Sequence, residues 1–63
     1  MLERLISKAG LSREDVAERL NGPVEMVNDW VEWKAVPGVE HCHALADVLG
    51  VQLYDVYLAL ITH

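Results

Sequence analysis

The sequence predicts an all-α fold, a compact bundle of five short helices forming a single domain over residues 1–63, and three observations carry that expectation. Apolar side chains recur at helical spacing in five stretches, and glycine, proline and asparagine punctuate the gaps between them. Hydrophobic residues make up 52% of the chain, more than a disordered segment carries. A domain this short still buries only about 60% of its unfolded surface, so its stability alone is marginal and a partner surface would add to it.

Leu2, Leu5, Ile6 and Ala9 fall at i, i+3, i+4 and i+7, which predicts a first helix over residues 2–9, with Gly10 in the left-handed position that closes it. Ser12 stands before Arg13-Glu14-Asp15, where its hydroxyl can accept from an exposed backbone N–H while the early carboxylates complement the positive helix end. Val16, Ala17 and Leu20 form the buried side of this second helix until Asn21-Gly22-Pro23 turns the chain. Pro23 lacks an N–H that would be unpaired in the first turn, so it is expected at the first helical position of a third helix carrying Val24, Val27, Trp30 and Val31. Val36-Pro37-Gly38 then breaks the chain. Val39, Cys42, Leu45, Ala46 and Leu49 share one face of a fourth helix, closed by Gly50. The tail is rich in β-branched and aromatic residues, as a strand would be, but Asp55 interrupts the alternation and Leu53, Val56, Tyr57, Leu60 and Ile61 fit a fifth helix.

Five Lys+Arg against ten Asp+Glu give a formal charge of −5. The longest apolar run, Val56 to Ile61, is far short of the ~20 residues a membrane span requires, and no apolar leader opens the chain, so no membrane partner and a cytoplasmic location are expected. Cys42 cannot form an internal disulfide. His41, Cys42, His43 and His63 lack a zinc spacing, because neighbours two apart on a helix point to nearly opposite sides. No metal and no cofactor are expected. Cys42 reads as a small buried hydrophobe, Ser12 as a cap and the paired carboxylates as solvated helix faces, so the chain is not expected to be an enzyme.

Two short helices joined by a three-residue turn, with one helix before and two after, resemble the Cro/C1-type (XRE-like) helix-turn-helix family. Gly10-Leu11-Ser12, residues 13–20 with Ala17 inside them, Val27, Trp30, Pro37, Leu45-Ala46 and Leu49-Gly50-Val51 carry the resemblance, which runs without gaps over residues 2–56. It implies a lambda-repressor-like arrangement with the motif at about residues 13–32, where Ala17 lets the two helices approach and Val27 packs from the other side. The chain departs from the family at Asn21, where glycine is usual, and at Pro23, where serine or threonine is usual. Asparagine tolerates a left-handed backbone, so the turn is compatible with the first change.

The resemblance implies that the third helix is turned outward and that double-stranded DNA is the partner, with Val24, Glu25, Asn28, Asp29 and Glu32 facing the bases. Asn28 can bond adenine and Glu25 can accept from cytosine. Arg13 and Lys34 stand where family members touch phosphates, with Arg19 a further candidate; the alternative is that Arg13 and Arg19 are solvated helix residues near Glu14, Asp15 and Glu18. The Glu25-Asp29-Glu32 stripe opposes phosphate. A rival reading is therefore a helix-turn-helix domain turned to protein binding, as an antagonist or DNA mimic, that meets a basic surface through this stripe, with Trp33 and Met26, seven apart on the third helix, as anchors. On the fifth helix the expected core set is Leu53, Val56, Tyr57 and Leu60. Tyr54, Leu58 and Ile61 form a second apolar patch, expected to bury against a second copy in a homodimer unless the first helix or the loop after Trp33 covers it.

Overall fold

The computed structural model describes residues 2–61, and these form five helices: α1 (Leu2–Lys8), α2 (Arg13–Arg19), α3 (Val24–Val31), α4 (Val39–Leu49) and α5 (Leu53–Ile61). The expected all-α fold is the observed one. Each helix contributes to one core: Leu2 and Ile6 from α1, Val16 and Ala17 from α2, Val27 and Trp30 from α3, Cys42, Leu45, Ala46 and Leu49 from α4, and Val56 from α5. Ala17 and Val27 are both buried, on the helices α2 and α3 that pack against each other.

Four helices end in the same way. The residue after the last turn enters the left-handed region, and the following N–H reaches back five residues to a carbonyl. Leu11 donates to Ile6 at 3.2 Å past Gly10, Gly22 to Ala17 at 3.0 Å past Asn21, Lys34 to Asp29 at 2.9 Å past Trp33, and Val51 to Ala46 at 3.0 Å past Gly50. Asn21 has φ 58° and Trp33 φ 63°, so two of the four stops are made by residues with a Cβ. Asparagine adopts this conformation at low cost, whereas alanine there costs on the order of 1 kcal/mol. Asn21→Ala is accordingly expected to lower the midpoint of thermal unfolding by about 4–8 °C, and Asn21→Gly to hold it. A melt followed by circular dichroism checks both.

Several positions differ from the sequence expectation. Pro23 is the N-cap of α3, one residue before the first helical position, with ψ 148° and its carbonyl accepting from Met26 N–H at 3.1 Å. Ala9 lies beyond the end of α1 and is exposed. Val39 opens α4 with its side chain largely in solvent, because the first turn projects past the core and Pro37 is the buried residue there. On α5 the buried arc is centred on Val56. Tyr57, one residue on and therefore ~100° around the helix, is exposed, while Ala59 is buried in its place.

Candidate nucleic-acid interface

Val27 and Trp30, three apart, anchor α3 to the core, and Trp30 stacks against His41 of α4 with ring centroids 5.1 Å apart and planes tilted by 54°. The opposite side of α3 therefore faces away from the core. Glu25 and Glu32 are exposed, and Val24, Asn28 and Asp29 are half-buried. The residues expected to lie outward are thus accessible, on a helix held by its inner face.

The first turn of α2 is fixed by a reciprocal cap. Asp15 N–H donates to Ser12 Oγ at 3.1 Å and Ser12 N–H donates to Asp15 Oδ2 at 3.0 Å. The Ser12 backbone N–H, then its hydroxyl, hold the Asp15 carboxyl below its ordinary value. Arg13 is the first residue of the helix that this cap opens.

Arg13 ties three helices together. Its Nε donates to Glu3 Oε2 at 3.1 Å, and Nη2 closes a second contact with the same oxygen. Nη1 donates to Asn28 Oδ1 at 3.0 Å and lies 3.5 Å from Glu32 Oε2. The hydrogen bond to Glu3, aided by the nearby Glu32 charge, raises the guanidinium above its already high ordinary pKa. Lys34 Nζ lies 3.3 Å from Glu32 Oε1, so one carboxylate serves both cations. The partners of Arg13 are therefore on α1 and α3, rather than the acids of its own helix. Glu3 is the residue that sequence reasoning missed. It is ten positions away across the Gly10 break, and no local spacing pairs it with Arg13.

Trp33 is not on α3 with Met26, since the helix ends at Val31 and Trp33 occupies the left-handed stop. Met26 instead folds back over the turn, its Cε only 2.7 Å from where a Cβ on Gly22 would stand, so a side chain there would have to displace the thioether end. Tyr54, Leu58 and Ile61 are all exposed, and with Tyr57 they form one continuous apolar arc on α5. Neither α1 nor the loop after Trp33 buries them. His41 lies in tilted ring contact with Trp30, and Cys42 is buried with its Sγ 3.7 Å from the Pro37 carbonyl. Burial pushes the Cys42 thiol pKa up. Among the described residues no three His, Cys, Asp or Glu side chains gather as a metal site, and His63 lies outside those residues. No described helix is long and apolar enough to cross a membrane by itself.

The model of a family described as helix-turn-helix matches residues 2–56. No curated protein and no solved structure matches the chain.

Proposed function

This chain belongs to the Cro/C1-type (XRE-like) helix-turn-helix family, a family of DNA-binding regulators, and on that premise we propose that it is a small repressor-like regulator that binds duplex DNA as a homodimer. The observation that carries the reading is the accessible outer side of α3, held by Val27 and Trp30 so that Val24, Glu25, Asn28, Asp29 and Glu32 can enter a major groove. Arg13 and Lys34 flank this helix and contact phosphates. For Arg13 the donor available is an N–H not given to Glu3 or Asn28, since a guanidinium carries five. The exposed arc of Tyr54, Tyr57, Leu58 and Ile61 supplies the dimer contact, which places two α3 helices on one side of the assembly.

The test is a titration of labelled mixed-sequence duplex at low salt and then in rising salt. Two phosphate contacts per protomer predict a log-log slope of about −1.8 per protomer, doubled for the dimer. Leu58→Asp combined with Ile61→Asp is expected to give a monomer by sedimentation and to halve the slope. Absence of binding at low salt would remove the proposal.

One observation favours a second reading. Both flanking cations already have carboxylate partners, whereas among the described residues no cation pairs with Glu25 or Asp29, which leaves the outer face of α3 acidic. A domain of this kind would act as an antagonist that engages the basic surface of a DNA-binding protein. In that case duplex DNA fails to bind, and Glu25→Lys with Asp29→Lys abolishes capture of the basic partner.

A further inference from the structure

We propose that Arg13 is a positioning residue for base selection: by holding the Oδ1 of Asn28 it turns the carboxamide into a donor, so that Asn28 selects guanine rather than adenine. The inference rests on the DNA-binding reading above and goes beyond it by naming the base and the residue that determines it.

An asparagine recognises adenine by presenting both ends of its amide to one base edge, the oxygen to N6–H and the nitrogen to N7. Here the oxygen is engaged inside the protein, accepting from Arg13 Nη1 at 3.0 Å. The guanidinium cannot swing away freely, since Glu3 holds two of its nitrogens and Glu32 Oε2 lies 3.5 Å from the third. A second lone pair remains on Oδ1, but a base amine that approaches it brings a donor hydrogen beside a cation, a like-charge juxtaposition. The nitrogen end is different. Among the described residues Nδ2 has no protein acceptor, and no buried polar side-chain atom is left unpartnered, so Nδ2 of this half-buried side chain reaches solvent. What α3 offers at this position is an N–H donor fixed in direction. Guanine presents two adjacent acceptors, O6 and N7, and no donor, where thymine offers O4 alone beside a methyl group and adenine adds a donor that the engaged oxygen no longer receives well.

Selection of duplexes from a randomised pool, read by sequencing, tests the assignment on the intact chain. The wild type is expected to enrich guanine over adenine by about tenfold at one position of each half-site, and Asn28→Ala is expected to erase that preference at that position alone. Arg13→Met frees Oδ1 and is expected to move the same position toward adenine. Arg13→Lys, which keeps a donor and the charge, is expected to retain guanine, a rescue that a merely structural role for Arg13 would not give. Circular dichroism confirms that each variant is folded. An Asn28-dependent preference for adenine in the wild type, or a guanine preference untouched in Arg13→Met, would overturn the inference while leaving the DNA-binding reading intact. A pool from which nothing is enriched would overturn that reading, and the inference with it.

Discussion

Trp30→Ala is expected to remove a third or more of the protein's stability. Truncating a buried tryptophan costs about 3–5 kcal/mol, through the lost burial and the cavity that remains. A chain of this length holds only about 3–9 kcal/mol in total, at roughly 0.05–0.15 kcal/mol per residue. Trp30 is 4% exposed and is one of only two residues of α3 that are fully in the core, the other being Val27. Its loss therefore falls on the element that presents the outer face, and it also removes the surface on which His41 stacks. A fall of at least about 12 °C in the unfolding midpoint follows from the lower end of that cost. Far-ultraviolet circular dichroism measures it, and Trp33 remains as the single indole whose emission reports the same transition. A variant that melts within a few degrees of the wild type would show that α3 is anchored by something other than this side chain.

The helices themselves were legible because their apolar residues recur with a clear phase and their ends carry glycine, asparagine or proline. Phase is lost on α5. Every residue from Val56 to Ile61 is apolar, so periodicity cannot say which arc faces inward: Tyr57, expected in the core, is exposed, and Ala59, placed in neither set, is buried. Packing on α4 and α1 decides the phase, and it is Ala59 that is turned inward. Trp33 shows a different limit. Nothing in an indole side chain announces a left-handed stop, yet α3 closes there with the same back-bond that Gly10 and Gly50 support elsewhere. Lys34 follows directly from that stop, and the reversal brings it back to Glu32. The outer residues of α3 were named from the family resemblance, and the burial of Val27 and Trp30 leaves Glu25 and Glu32 exposed and Val24, Asn28 and Asp29 half-buried. Their partnership with Arg13 was not legible, because a contact between α1, α2 and α3 depends on how helices pack, which spacing within each helix does not encode.

Neutralising two carboxylates is expected to change duplex binding more than any other surface substitution. Glu32 sits between Arg13 and Lys34, and Glu3 holds the far side of the Arg13 fork, so each cation proposed to meet a phosphate already faces an acid. A phosphate that arrives must share the cation with that acid, and the two anions repel. At ~4 Å in water a pair of unit charges interacts by about 1 kcal/mol, so Glu32→Gln, made together with Glu3→Gln, is expected to tighten binding by on the order of tenfold at low salt. Removal of the negative charge next to the phosphates also raises the net positive charge that displaces counterions, steepening the salt dependence by about 0.9 per carboxylate that lies at the interface. Stability should move little, because these pairs are solvent-accessible and exposed ion pairs contribute about 0–1 kcal/mol. The two functional readings part at this experiment. A DNA-binding α3 gains affinity when the acids go, whereas an α3 that engages a basic protein loses the charges that attract it, so weaker partner capture with no gain on duplex would assign the face to protein.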